Sequence, residues 1–429
     1  MNRPTNTNRV TTRLTDLPAA FWWLWVSVLV TWVGRFVVPF LSLFLTAQVG
    51  MSSTEAGWLI SAYGAGVMVS ALVGGVLADR IGRKVTLLGS EAASVIVLVI
   101  IPQAIGTPLL LAPLLTLYGL ANGAGKPAIA TMVGDLAAPE HRRAAYGFHT
   151  WAVNLGYAIG PVLAGLLAHV DYALLFYGQA IAVLIAALVV LAFVPDVYGA
   201  TPRSSRREGT RTGLREVLGD RVFVGFVALM FCYYCVYVQS TTTLPVVMAG
   251  QGFTTQEYGY LLTLNGLLLC ALQVPAVRVL AGRPESALMV AFLGITIIGM
   301  LVQAGADVMW LYLASVALWT LGELGLHPTA QTVSAELASS DLRGRYQGTY
   351  VLAFSGASTI APVVGGMVLD TWGSGALWLG CAGICAVVAV LLGVTAPARR
   401  RRAAEVERTS ELIDQRHDGV ALDTGRASA

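Results

Sequence analysis

Long uncharged apolar runs follow one another from residue 21 to residue 395, with only short polar gaps between them. A helix advances ~1.5 Å per residue, so about 20 apolar residues carry it through a ~30 Å hydrocarbon core. Read with that window, the chain predicts twelve spanning helices, at 21–47, 56–78, 85–105, 108–134, 144–168, 172–194, 222–249, 256–280, 287–304, 308–335, 346–369 and 374–395. The runs are too long for barrel strands and lack their apolar–polar alternation. Glycine and proline inside them, Pro39, Pro127, Pro161, Pro245, Pro328 and Pro362 among others, suit closely packed, bent membrane helices.

Composition narrows the classes further. Only 12% of the 429 residues are Asp, Glu, Lys or Arg, against about 25% in an average soluble protein. Such a chain cannot clothe a water-exposed globule, so a soluble enzyme is excluded. A net charge of +3 is too small to call for nucleic acid, and five cysteines are too sparse for a secreted disulfide scaffold. Residues 21–47 are too long, and too apolar at their end, for a removable signal peptide, and count as the first span.

All but two of the 27 Lys and Arg residues lie in the two tails or in alternate gaps. Arg3, Arg9 and Arg13 precede the first span; Arg80, Arg83 and Lys84 follow the second, and Arg142 and Arg143 the fourth. Six arginines from Arg203 to Arg221 follow the sixth span, Arg278 and Arg283 the eighth, Arg343 and Arg345 the tenth, and seven from Arg399 to Arg426 the twelfth. The other gaps carry acids instead: Glu55, Asp171, Glu257, Asp307 and Asp370. Because cytoplasmic loops concentrate basic residues, both termini and the long linker are expected in the cytoplasm.

Two stretches repeat at an offset of 201 positions, pairing Asp135 with Glu336, Arg142 with Arg343, Gly147 with Gly348 and Pro161 with Pro362. The expected organisation is a cytoplasmic tail at 1–20, a six-helix half at 21–195, a linker at 196–220, a second half at 221–397 and a disordered tail at 398–429. The fold class is thus all-α integral membrane, twelve helices in two pseudo-symmetric halves. Parallel repeats of this kind let two rigid bodies rock about a central site. No selectivity filter, catalytic cluster or Walker-type phosphate loop is visible, so neither a channel nor an ATP-driven pump is indicated.

Charges inside the spans mark the candidate site. Arg35 lies in the first span, Lys126 in the fourth, and Glu323 and His327 in the tenth. Placing a charge at bilayer depth costs at least ~2.5 kcal/mol, so such residues face a partner or a wet cavity. Glu323 and His327 stand four apart on one helix face, as do their repeat counterparts Asn122 and Lys126, and the two faces are expected to line a central cavity. Two readings stand: substrate and proton chemistry, or a structural pair such as Lys126 with Glu323. Arg35 and Lys126 against Glu323 leave a net charge of about +1 at reference ionisation, which suits anionic or zwitterionic solutes. Glu323 and His327 are the proton-carrier candidates. Trp319, Trp151, Tyr233, Tyr234 and Tyr237 either line the cavity or pack. Glu91, nearer the cytoplasm, reads as a structural partner of the loop after the second span, and Trp22, Trp23 and Trp25 as interfacial anchors. Cys232 and Cys235 lack further ligands for a metal or redox site.

The segment GGVLADRIGRK, Gly74 to Lys84, resembles the loop signature of the major facilitator superfamily, and the repeat and span number extend the resemblance over nearly the whole chain. It implies a twelve-helix transporter of a small molecule, working in the plasma membrane by alternating access, with no cofactor, as a monomer. Gly75 would allow close helix approach, and Asp79, Arg80, Gly82 and Arg83 would form a cytoplasmic latch. In the second half, VLAGRP keeps Arg283 but sets Gly282 in the place of Asp79, implying a weaker latch. GYAIGPVLAG, with Gly156, Gly160, Pro161 and Gly165, is similar to the motif of drug:proton antiporters and equally consistent with plain close packing. GAGKP around Lys126, the residues Asn154 to Gly156 and GELGLHP around Glu323 are similar to segments of proton-coupled oligopeptide transporters. Thr31 and Gly34, however, stand where that family has two glutamates. The resemblances imply proton-coupled efflux, with proton-coupled uptake of a zwitterionic solute as the alternative. A sensor or scaffold without transport would leave the embedded charges unexplained.

Overall fold

A computed structural model describes residues 16–196, 212–280, 282–339 and 342–408. Every regular element among them is a helix. The first half of the chain holds α1 Ala19–Val33, α2 Val37–Leu43, α3 Ser53–Ile81, α4 Arg83–Ile100, α5 Pro108–Ala124, α6 Lys126–Leu136, α7 Arg142–Val170 and α8 Ala173–Phe193. Then come α9 Thr212–Gly219, α10 Arg221–Thr242, α11 Leu244–Gly250, α12 Thr255–Leu280, α13 Glu285–Ala304, α14 Met309–Glu336 and α15 Arg343–Val394. A last helix occupies 396–408. The basic residues Arg3, Arg9 and Arg13, linker residues 197–211 and the tail from 409 lie outside the described residues.

Eight helices are long and apolar enough to cross a membrane, or nine if the pair Ser53–Ser70 and Val73–Ile81, bent by 43°, counts as one span. Breaks account for part of the difference from the twelve apolar runs. Gly125 interrupts the fourth run between α5 and α6. The last two runs merge in α15, whose 52 residues would measure about 78 Å at helical rise. Gly373, with φ 79° inside α15, kinks it between those runs.

Two compact units emerge from the contacts. Among the described residues, unit 1 falls within Met1–Met51, Trp58–Pro202 and Met248–Cys270, and unit 2 within Ser52–Gly57, Arg203–Val247 and Ala271–Ala429. Two exchanged segments, the start of α3 and most of α12, distinguish these units from the sequence repeat.

Glycine and proline create each exchange. In unit 1, a Cβ on Gly259 of α12 would sit 2.7 Å from the Pro161 carbonyl oxygen, and one on Gly165 of α7 would sit 3.0 Å from Gln256 Cα. Unit 2 repeats the arrangement: a Cβ on Gly57 would lie 2.4 Å from the Pro362 carbonyl oxygen, and one on Gly366 would lie 2.3 Å from that of Ser53. The helices that cross there start alike. Ser52 and Glu55 form a reciprocal capping box at α3, with Ser52 N donating to Glu55 Oε2 at 2.9 Å and Glu55 N to Ser52 Oγ at 3.2 Å. Thr254 and Glu257 do the same at α12, at 2.7 and 3.2 Å. Two of the acids read from sequence as loop charges, Glu55 and Glu257, are thus helix-start caps. Asp370 adds to the first of them, accepting from Thr54 N at 2.8 Å and Thr54 Oγ1 at 2.6 Å.

The expected disorder from residue 398 is corrected for 398–408, which are helical. Arginine side chains tie this helix down. Arg399 is buried and donates to Ser286 Oγ at 3.1 Å and to the Leu392 carbonyl at 2.7 Å. Arg402 donates to Asp220 Oδ2 at 2.9 Å, the same oxygen that accepts from Tyr346 at 3.0 Å. Asp220 also caps α10 by accepting from Phe223 N at 3.1 Å. Burial pushes the Asp220 carboxyl up, but hydrogen bonds from Phe223, Arg402 and Tyr346 and the Arg402 charge outweigh it and hold the group below its ordinary 3.8.

The tryptophans of α1 also differ from expectation. Trp22 and Trp25 pack on the core cluster of Phe21, Met132 and Val133, and Trp25 Nε1 donates to the Phe148 carbonyl at 2.7 Å. Trp23 alone of the three is exposed, stacked on Phe193.

Candidate functional site

The first predicted span is broken where its charge lies. α1 stops at Val33, Gly34 and Arg35 leave the helix, and α2 resumes at Val37. A break frees backbone groups that need partners, and one comes from α8: Gln179, buried, accepts from Val37 N at 2.8 Å. The other end of Gln179 donates to Tyr118 at 2.6 Å, and Asn122 donates to the same hydroxyl at 3.3 Å. Arg35 lies 4.6 Å over the Trp32 ring, a distance at which a guanidinium is attracted to the ring face.

Lys126 sits at a second break, opening α6 after Gly125. Both cations line one cavity of about 90 Å³ in unit 1, together with Thr31, Ser90, Glu91, Asn122 and Gln179. This corrects the reading of Glu91 as a partner of the cytoplasmic loop. It stands in the cavity wall, 8% exposed, and its Oε2 has no hydrogen-bond partner among the described residues. Sequence reasoning missed Gln179 altogether; an amide in an otherwise apolar run was its only signal.

Unit 2 brings together the second set. Tyr237 donates to Glu323 Oε1 at 3.1 Å, and His327 Nδ1 lies 3.8 Å from the same oxygen, one helical turn on. Rings of Tyr233, Tyr234 and Tyr237 surround the imidazole with centroids at 5.6, 5.5 and 5.0 Å. Beyond them the Tyr234 and Tyr350 hydroxyls share a hydrogen bond of 2.7 Å. His327 Nε2 and the indole nitrogen of nearby Trp319, both buried, have no partner among the described residues. Each is a polar atom whose desolvation is uncompensated. Trp151, by contrast, is 54% exposed on α7.

The loop after α3 departs from the expected latch. Gly82, with φ 100°, turns the chain between α3 and α4, and Arg83 pairs with Asp135 at the end of α6. Asp79 and Arg80 are exposed, with no ion pair among the described residues. A Cβ on Gly75 would meet open space; the close approach belongs to Gly74, where it would lie 2.6 Å from the Ala124 carbonyl oxygen. One residue is a rotation of about 100° on a helix, which suffices to exchange the two faces. Gly282 ends α12 with φ 76°, as Gly82 ends α3; by conformation it matches Gly82 and not Asp79. Arg283 follows it as Arg83 follows Gly82.

The glycines of the antiporter-like segment are all at contacts. Cβ atoms on Gly156 and Gly160 would meet Trp32 and Val33 of α1 at 2.5 and 2.7 Å, and Gly165 faces α12.

Helices broken inside apolar runs, with polar and charged side chains gathered at the breaks, define a membrane transporter and not an enzyme. The sequence profile of the Major Facilitator Superfamily matches residues 24–302 and 240–422, and the chain belongs to that superfamily. It is therefore a multi-pass membrane protein. Among relatives, the Na(+), Li(+), K(+)/H(+) antiporter of Planococcus maritimus is 25% identical, the match covering 76% of this chain and 84% of the relative. The multidrug resistance protein MdtH of Aeromonas hydrophila is 26% identical over 81% and 87%. Among solved structures, the POT family transporter PepTSo shares the fold with a TM-score of 0.74 at 15% identity, covering 90% of this chain and 99% of that one.

Proposed function

We propose that the chain is a proton-coupled exporter of small organic solutes bearing an anionic group. In this reading it spans the plasma membrane twelve times as two six-helix halves, with both termini and the linker cytoplasmic, and acts as a monomer by alternating access. The observation that carries the chemistry is the convergence of Arg35 and Lys126, each at a helix break, on one cavity. A carboxylate or phosphate entering it meets both cations, beside the hydrogen-bonded Gln179, Tyr118 and Asn122. Trp32, Asn122 and Gln179 complete the solute side. The proton side is Glu323 with His327, Tyr237 and Trp319, where one carboxylate oxygen faces both a phenol and an imidazole. Two relatives, one named a cation/H(+) antiporter and one a multidrug resistance protein, at 25 and 26% identity, support the direction. Arg83 with Asp135, and Arg283 in the second half, serve as cytoplasmic latch groups beside exposed Asp79 and Arg80. Gly156, Gly160, Pro161 and Gly165 form the sliding contact of α7.

Uptake of a zwitterionic solute by symport is the second reading, favoured by the same pair of cations, which suits the carboxylate end of such a molecule. Proteoliposomes loaded with candidate solutes under an imposed pH gradient separate the two. Uphill movement of solute against the proton flow supports export; accumulation with the proton supports symport. Absence of flux for every solute, alike in wild type and Arg35→Ala, rejects both.

A further inference from the structure

Glu91 is an acid that no ion pair or hydrogen bond answers at Oε2 among the described residues. It belongs to α4, and its Oε2 is buried without a hydrogen-bond partner among the described residues. Four donors around the cavity are already committed elsewhere. Thr31 donates to the Ser27 carbonyl at 2.9 Å, Ser90 to the Leu87 carbonyl at 2.7 Å, Asn122 to Tyr118 and Gln179 to Tyr118. Charged groups reach the cavity from three of its walls: Arg35 from the break after α1, Lys126 from the start of α6, and Glu91 itself from α4; α8 contributes only the neutral Gln179. Neither cation forms an ion pair with Glu91 among the described residues. An anion in such a place is stable only if a donor arrives, either as a proton on the carboxyl or as an N–H of the cargo.

We propose that Glu91 is the cation-binding group of this cavity, exchanging its proton for the ammonium of a zwitterionic, amino-acid-sized solute whose carboxylate meets Arg35 and Lys126. The inference rests on the cavity being the solute site. On exchange the Glu91 O–H bond breaks and its proton leaves to water. The carboxylate then accepts from the ammonium, which keeps its three hydrogens; one proton leaves and a net-neutral zwitterion enters, so the cavity's charge falls by one and no redox step occurs. Solute and proton cannot occupy Glu91 together, and that exclusion is what antiport requires. A cavity of about 90 Å³ limits the bound portion to a small head group, well below the ~300 Å³ of a drug-sized pocket.

Infrared difference spectroscopy of the protein reconstituted in lipid reads this directly. L-alanine is perfused as the zwitterionic probe and propionate as the carboxylate-only probe, and the protonated-carboxyl band is followed. L-alanine is expected to bleach one such band in the wild type, none in Glu91→Gln, and again one in Glu91→Asp; propionate bleaches none. A bleach that survives Glu91→Gln, or no carboxyl response to L-alanine at saturation, overturns the proposal. Flux is not measured, so the outcome is separate from the transport reading: export in proteoliposomes with an unresponsive Glu91 removes this inference alone.

Discussion

Gln179 accepts the backbone N–H of Val37 at 2.8 Å from across unit 1, and so holds the restart of a helix that has broken at Arg35. A buried N–H without such an acceptor costs about 1–3 kcal/mol. Gln179→Leu is therefore expected to lower the stability of the detergent-solubilised protein by that amount in thermal unfolding. It should also reduce solute flux in proteoliposomes at least tenfold, because the Arg35 loop loses its anchor. Gln179→Glu keeps an acceptor for Val37 and is expected to lose less stability. Equal loss in both variants would mean that the amide packs and does not position.

Adjacent glycines of α3 give a second test. A Cβ at Gly74 would press on the Ala124 carbonyl, whereas one at Gly75 meets open space. Gly74→Val is expected to destabilise by roughly 1–3 kcal/mol through overpacking, and Gly75→Val to leave the melting temperature nearly unchanged. A larger loss at Gly75 would show that its open side is covered in the membrane.

The contrast shows what a sequence can and cannot disclose here. Arg35, Lys126, Glu323 and His327 are legible because charge inside an apolar run is costly and therefore conspicuous. Glycine spacing announces close packing but not which of two neighbours makes it, since rotation about the helix is set by tertiary contacts. Gln179 carries no charge, and its role arises only because α1 breaks opposite it; the break itself has no proline at Gly34 or Arg35 to signal it. Glu91 was visible as an acid, but its wall of the cavity depends on how α4 packs against α5, α6 and α8. The helix at 396–408 was hidden by composition, because its arginines look solvated until Ser286 and Asp220 are seen beneath them.

In unit 2, the Tyr237 hydroxyl and His327 both address Glu323 Oε1. Glu323→Gln is expected to abolish proton-driven transport while leaving solute exchange at equal pH intact. Tyr237→Phe removes one hydrogen bond to the carboxyl group, a bond to a charged group being worth ~1.5–3 kcal/mol, and should slow proton-driven flux about tenfold or more and shift its pH profile. Unchanged pH-driven flux in Glu323→Gln would sink the proton role of this cluster.

The Asp220 cluster predicts a pH limit on stability at the start of α10. Hydrogen bonds from Phe223, Tyr346 and Arg402, with the Arg402 charge, hold the carboxyl below its ordinary 3.8 despite burial. A carboxyl with a lowered folded-state value stabilises fully above its unfolded value and loses that stabilisation as pH falls through the folded one. Asp220→Asn is thus expected to melt lower than wild type near neutral pH, by about 1–2 kcal/mol after allowing for solvent around Arg402. The gap should close only below the ordinary carboxylate range. Arg402→Gln should reproduce part of the loss and free the 396–408 helix for proteolysis. Melting curves that differ by the same amount at every pH would assign Asp220 a capping role independent of its charge.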